Sequence, residues 1–577
     1  MKNIILFLGV IASLFCTTSC KKDFLQRDMG VAIDLEKVFS DPVLAAKLGD
    51  DSYNYLWDDF CTISVNPPGN TVVSGAVRVN WYFSGECLEK GNNQMQELYI
   101  QRGIYLEDNT LALTGNEKYS EISGSWQRAY QGIRNTSKML ENMDKVPWTS
   151  DQSPDRIKGE QYFIRAFMYF ELIKRFGGVI IIPKMLNAED NADLPRNTYQ
   201  ECVDYIIAEL AKAEPLLPLD YDTNAYGRVT KGAVKALRSR VLLYAASFRD
   251  NPTGDKAKWA TAAAAAKDMI DNMKDRYPLE STYTNILKYT LKNEFILCMP
   301  KAQRGSDDLA WVVIPNTSGR AGSYGNAIPT QKHVNMYEMA NGKPITDPTS
   351  GYDPQNPYVG RDPRFYENIL YNGAPWGSRA IETWKSVDGS VWGLDLSQGY
   401  AFAGSYFVRK VWPVERQLGG SNQYVHFPIF RMAEIWLNYA EAQNEAVGPD
   451  ASVYDAVNQI RRRAKSAAGV AMPDLPAGLT QVQMRQRIRN ERAVELAFEN
   501  SSWFDIMRWG IGKDILNGPE RQMKITKNAN GTFSYEEYDL PAGFTRVFVE
   551  KQNYYPIPLG EVQKSRGILK QNPGWGI

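Results

Sequence analysis

Along most of this chain apolar residues recur every three or four positions, the spacing that lines one face of an α-helix. Residues 116–145 carry Trp126, Tyr130 and Ile133, then Leu140 and Met143, and the pattern stops before Pro147. Residues 158–176 place Phe163, Ala166, Phe167, Phe170 and Ile173 on one face, with Gly177-Gly178 as the break; the apolar run 179–182 that follows predicts a short strand. Further helices are expected over 198–217, with Thr198 as the cap and Pro215 and Pro218 at the end, and over the Ala-rich stretches 230–247 and 256–275. The pattern resumes at 429–446, 452–468, 481–500 and 503–509. Between the two helical blocks, residues 277–426 are rich in Gly, Pro, Asn and Trp and lack a helical period. That interval is too long for a simple linker, which makes it a candidate functional region of loops and short strands.

Ala-rich helices with an aromatic residue or Leu recurring on one face pack closely, and successive antiparallel pairs of about 34 residues form the tetratricopeptide arrangement. The predicted fold is therefore mainly α. Tetratricopeptide-like helix pairs over about 20–276 and 427–577 form a scaffold, and the loop-rich stretch of about 277–426 contributes to a ligand site. An irregular helical bundle is the alternative reading of the same pattern.

The N-terminus has a different pattern. Lys2 precedes an apolar run from Ile4 to Phe15, and Thr17-Thr18-Ser19 leads to Cys20. A run of about a dozen residues is shorter than the roughly 20 a permanent membrane helix needs, so residues 1–19 are read as a signal peptide. Cys20 directly after small residues resembles the site at which a bacterial lipoprotein is cut and acylated; Thr17 stands where an aliphatic residue is usual, which keeps Cys16 or ordinary cleavage open. More than one acyl chain on Cys20 gives stable anchoring. By resemblance to lipoprotein sorting rules, Lys21 rather than Asp after Cys20 does not favour inner-membrane retention.

Charge and cysteine usage remove several function classes. Lys plus Arg and Asp plus Glu are equal at 66 each, so no net field draws in nucleic acid. Beyond Cys16 and Cys20 the chain has Cys61, Cys87, Cys202 and Cys298, with no Cys-x-x-Cys spacing, and its two His are His333 and His426. No metal or other cofactor is expected from such a set. Cys61 and Cys87 are the pair to test for a disulfide, with free buried thiols the alternative. The 14 Trp and 32 Tyr offer flat apolar faces with a polar edge, on which sugar rings stack.

Several motifs, in order, resemble the SusD/RagB family of outer-membrane nutrient-binding lipoproteins. They are Cys20-Lys21-Lys22-Asp23-Phe24-Leu25, Arg165-Ala166-Phe167-Met168-Tyr169-Phe170 with Arg175-Phe176-Gly177-Gly178, and Asn341-Gly342-Lys343-Pro344 with Arg361-Asp362-Pro363-Arg364-Phe365. Glu434 to Ala442, Arg489 to Glu499, Trp503-Phe504-Asp505, Tyr555-Pro556-Ile557-Pro558 and Gln571-Asn572-Pro573-Gly574-Trp575 complete the series. Asn500-Ser501-Ser502 departs from it, since the family commonly has a Gly and an Arg there. The resemblance implies a cell-surface lipoprotein of the outer membrane that binds a polysaccharide or oligosaccharide and delivers it to a SusC-like TonB-dependent transporter, without enzymatic activity.

A glycan site needs aromatic platforms together with amide, guanidinium or carboxylate groups, carried on loops. Arg78, Asn80, Trp81 and Tyr82 after Pro67-Pro68 supply one such mixture. Trp311, Tyr324, Trp376, Trp384 and Trp392 in the irregular stretch supply another. Glu491, Arg492, Glu495, Glu499, Asp505 and Arg508 are read instead as ion pairs that tie helices together. Two other functions stay open. A surface glycoside hydrolase needs two carboxylates roughly 5–10 Å apart across a cleft. An assembly scaffold would use the helical repeats and bind no sugar.

Overall fold

The structure, a computed structural model, describes residues 35–56, 80–89, 121–150, 152–186, 194–221, 226–284, 286–287, 293–301, 313, 315, 327–396, 404–411 and 425–576. Among these residues the helices of eight residues or more are α1 Pro42–Asp51, α2 Glu121–Asn142, α3 Pro154–Phe176, α4 Tyr199–Ala213, α5 Lys231–Ala246, α6 Lys256–Met273, α7 Met432–Val447, α8 Ala451–Arg463, α9 Gln481–Glu495 and α10 Ser502–Trp509.

Their ends follow from local chemistry. α3 starts at Pro154, ahead of the periodicity, because a proline in the first turn loses no hydrogen bond; Gly177 at φ 74 stops it. Thr198 caps α4 as expected: its hydroxyl accepts the Glu201 N–H while the Glu201 carboxylate accepts the Thr198 N–H at 2.7 Å. α8 ends at Arg463 rather than 468, since Arg461 and Arg463 turn inward to buried carboxylates and Ala464 goes extended. α9 ends at Glu495 rather than 500, where Phe498 and Asn500, both at φ 60, reverse the chain. Residues 179–182 are extended but form no strand. Tyr130 Oη, Asn197 Oδ1 and Tyr169 Oη accept the N–H groups of Ile180, Ile181 and Ile182, so side chains take the place of a neighbouring strand.

Helices neighbouring in sequence pack on one another: α2 on α3, α3 on α4, α5 on α6, and α7 on α8 and α9. α6 also packs on α7. The chain thus leaves the helical stack at Met273 and re-enters it beside the helix it left, which makes the irregular stretch an insertion between stacked neighbours. Strands β2 Phe295–Lys301 and β9 Val425–Arg431 close its base as an antiparallel pair, from Phe295 opposite Arg431 to Lys301 opposite Val425. The lobe so formed recruits strands from outside the insertion. β1 Cys87–Glu89 pairs with β3 Ala327–Pro329. Further on, β4 Ile369–Leu370 pairs with β8 Phe407–Val408, and β5 Pro375–Trp376 with β6 Arg379–Ala380. The hairpin of β10 Arg521–Lys527 and β11 Phe533–Asp539 takes β7 Lys385–Ser386 as a parallel third strand.

One large core runs through the helices and the β2–β9 pair, and a smaller one lies under the lobe, including Leu88, Ile328, Leu370, Phe407, Leu540 and Phe544. Cys87, Cys202 and Cys298 are buried and free among the described residues; Cys61, the other half of the pair to test, lies outside them. Among the described residues no helix is long and apolar enough to cross a membrane, and no cluster of His, Cys, Asp or Glu could hold a metal ion.

Candidate functional site

Asn80-Trp81-Tyr82, expected as a loop, opens a single helical turn, Trp81–Ser84, sunk into the core. Trp81 is 0% exposed and meets Phe498 edge-on at 5.3 Å, while Tyr82 is 1% exposed. The Asn80 N–H donates to Asn500 Oδ1 at 3.1 Å, which ties this turn to the left-handed turn after α9. Neither ring has a face free for a ligand; the packing partner that buries them is distant in sequence, where periodicity does not reach. Arg78, Trp311, Tyr324 and Cys20 lie outside the described residues.

The remaining three tryptophans are on the lobe. Trp376 is half-buried on β5, opposite Arg379 across a tight turn whose Gly377 has φ 61. Arg379 grips Asp395 with two hydrogen bonds, at 2.6 and 2.7 Å, and Asp395 also accepts the Glu382 N–H. This fork staples the β5–β6 hairpin to the loop bearing Trp392. Trp392 is half-buried; its indole N–H donates to the Gly389 carbonyl at 2.9 Å, and the Lys385 ammonium sits 3.8 Å from its ring centroid. Trp384 is 8% exposed, with the Lys527 ammonium 4.3 Å from its ring and Phe533 beside it, so it fastens the lobe to the β10–β11 hairpin. Trp376 and Trp392 thus keep ring surface at the exterior, whereas Trp384 has little to offer. Exposed Val387, Val391 and Leu394 extend the apolar character of this tip.

The motif carboxylates are committed to arginines inside the frame. Glu495 is 0% exposed and pairs with Arg364, Arg431 and Arg463; Glu491 pairs with Arg364 and Arg461, and Glu499 with Arg431 and Lys410. Burial alone would raise the Glu495 carboxyl, but these guanidiniums hold it well below the usual carboxylate range. Glu441, against the same burial, is held down to about 2 by Arg508 and Arg492 and by the Trp509 indole N–H. Acids kept ionised this way cannot donate a proton to a leaving group near neutral pH. The Asn500 departure has its own reason: asparagine tolerates the left-handed backbone that a glycine commonly supplies there.

One opening was not read from the sequence. A cleft of about 630 Å³ lies between α2, the extended segment after α3 and the short helix Leu559–Lys564. Tyr130 and Trp126 line it together with Gln127, Gln131, Arg134 and Lys184. The signal was available: Gln127, Gln131 and Arg134 recur at helical spacing beside the aromatic stripe of α2, on a face that the search for apolar periodicity passed over.

Comparison with known proteins agrees with this architecture. The sequence profile described as the SusD family matches residues 293–575, and the one described as "Starch-binding associating with outer membrane" matches residues 87–243. A SusD-like protein of Bacteroides ovatus is 24% identical, over 97% of this chain and 92% of its own. Among solved structures, a SusD-like protein from Bacteroides fragilis is 24% identical with a TM-score of 0.71, covering 93% of this chain and 98% of that one. A SusD-like carbohydrate binding protein from the same species is 20% identical with a TM-score of 0.70, over 92% and 99% of the two chains. Motif order, helical frame and these matches lead to one conclusion: the chain belongs to the SusD/RagB family.

Proposed function

We propose that this protein binds oligosaccharide or polysaccharide at the outer surface of the outer membrane, held there by a lipid on Cys20, and passes it to a SusC-like TonB-dependent transporter. The observation that carries the binding reading is the stapled lobe, in which Trp376 and Trp392 present ring surface from a rigid mount. Preorganised aromatic surface is what a sugar face needs, because little conformational entropy is lost when the ring docks. Arg78, Trp311 and Tyr324, outside the described residues, are proposed to add to the site. Trp384 contributes by holding the lobe in place. A carbohydrate-binding relative and a starch-binding profile support the ligand class. The helical stack suits docking on a membrane partner, since repeat helices present an extended surface.

The arginine-bound carboxylates support binding without turnover. The test is calorimetric titration with a panel of defined polysaccharides, alongside an assay for new reducing ends. Saturable heat with no new reducing ends is expected. Release of reducing ends, abolished by changing one carboxylate, would establish the hydrolase instead. Absence of sugar binding together with co-purification of membrane partners would favour the assembly scaffold.

A further inference from the structure

A second cleft, of about 450 Å³, opens between the short helix Gln331–Asn335, α9 and α10. Its size falls within the roughly 300–1,000 Å³ typical of small-molecule sites. Met336, Ile506, Trp509 and Ile511 give it an apolar wall. From α9 come Gln486, Arg489, Asn490 and Ala493, one face of the helix by their spacing.

The charges in the lining do not cancel locally. Three acids are present, and each is occupied. Glu338 pairs with Arg461 at 3.0 Å and Arg487 at 2.7 Å, and Asp505 with Arg492 at 3.1 Å and Arg508 at 2.8 Å. Glu86 accepts the Ser84 hydroxyl and the Phe498 N–H, both at 2.9 Å, and burial pushes its carboxyl up to about 7. Two cations are left over. Lys332 donates to the backbone carbonyl of Ile515, and Arg489 lies 4.8 Å from the Trp509 ring centroid and 6.0 Å from that of Phe248. Among the described residues no carboxylate comes within the 4.0 Å of an ion pair with either. Burial lowers the pKa of both; Arg546 adds to the effect at Lys332, while at Arg489 the more distant carboxylates of Glu441 and Glu445 oppose it and Arg508 and Arg485 reinforce it. The Trp509 indole N–H is bonded to Glu441 at 2.7 Å, which fixes the ring beneath the guanidinium.

Lys332 is exposed and Arg489 half-buried, and a cation outside any close ion pair is free to draw an entering anion. A guanidinium takes a carboxylate or sulfate with two parallel hydrogen bonds, and an ammonium adds a movable point charge. We propose that this cleft is a binding site for the anionic group of an acidic sugar, a carboxylate or a sulfate ester, taken by Arg489 and Lys332 while the wall of Met336, Ile506 and Ile511 receives the carbon face of the ring. The proposal rests on the glycan-binding function and narrows it to acidic glycans.

The test titrates the purified protein with an oligogalacturonate, a sulfated disaccharide and the uncharged counterpart of each, at low and high salt. At least one acidic ligand is expected to bind, more weakly as salt rises, and to lose about tenfold in affinity in Arg489→Gln and in Lys332→Gln. Response to only one of the two acids identifies the group, and both responses support the site. Arg489→Lys should restore part of the affinity. Neither cation has an ion-pair partner to lose, so thermal midpoints should stay near the parent value, and this checks that the variants are folded. Equal binding of acidic and neutral ligands, or acidic binding that both variants leave unchanged, overturns the proposal while the glycan-binding reading stands. Failure of every saccharide overturns both.

Discussion

Glu495 and Trp392 are held in place by opposite means. Glu495 sits where helices α8 and α9 meet strand β9, and its partners come from segments far apart in sequence: Arg364, Arg431 and Arg463. Trp392 is held by residues within its own turn, Gly389 and Lys385, and its loop by neighbours such as Asp388, which accepts the Ser390 N–H at 3.1 Å. The same local device recurs through the lobe, where Asp347 accepts from Thr349 and Asp353 from Gln355. In the frame, then, one side chain couples many elements, and its loss is felt globally. In the lobe each turn is largely self-contained, so changes there should alter recognition while leaving the fold intact. That division lets the lobe vary over a constant frame.

The largest effect should come from Glu495→Ala, which leaves three buried guanidiniums short of a counter-charge. Breaking a buried ion pair from one side costs about 3–5 kcal/mol, visible as a drop in the denaturant midpoint. A loss under about 1 kcal/mol would mean the frame does not depend on this network.

Acid should act on a second buried cluster of the frame, Glu441 with Arg492 and Arg508. The Glu441 carboxyl lies at about 2 in the folded chain against an ordinary 4.5, so between those values the unfolded chain binds more protons and stability falls as pH falls. Its contribution, on the order of 3 kcal/mol, is fully present above about pH 4.5 and lost towards pH 2. Thermal midpoints of Glu441→Gln should show a shallower decline over that window than the parent.

Glu86 has the opposite sign. Its folded value of about 7 exceeds 4.5, so the folded chain holds the extra proton and stability declines as pH rises from about 4.5 to 7. Glu86→Gln should remove that decline, a gain on the order of 3 kcal/mol at pH 8 if the amide keeps the hydrogen bonds of Ser84 and Phe498. Unchanged pH dependence would contradict it.

The smallest effect on stability is expected in the lobe. Gly389 has φ 70 and open space where a side chain would go, so Gly389→Ala meets backbone strain alone, about 1 kcal/mol. Because Gly389 supplies the carbonyl that orients Trp392, ligand affinity should change more than the thermal midpoint. The reverse outcome would blur the contrast between lobe and frame.

Periodicity revealed the helices because burying one face requires it, and the caps at Thr198 and Gly177 were readable as local chemistry. The ends of α8 and α9 were not, since Arg463 and Phe498 answer to partners elsewhere in the chain. Composition pointed to tryptophan but could not sort it. Trp81 lies among polar neighbours in sequence and packs against Phe498, far along the chain, whereas Trp392 has equally mixed neighbours and stays at the surface. Burial depends on long-range packing, which residue type and local spacing leave open. The two clefts were missed for a related reason: each is lined by the polar face of a helix joined by segments distant in sequence.

The most direct test of the central claim pairs two readouts on one variant, Trp376→Ala with Trp392→Ala combined. Titration with the glycan that the parent binds and a thermal melt would be run side by side. The account predicts affinity lowered at least tenfold with only a modest fall in the midpoint, since both rings are half-buried and, of the two, Trp376 alone packs against the cores. Unchanged affinity with a markedly lower midpoint would contradict it, making these rings part of the fold and placing the glycan elsewhere.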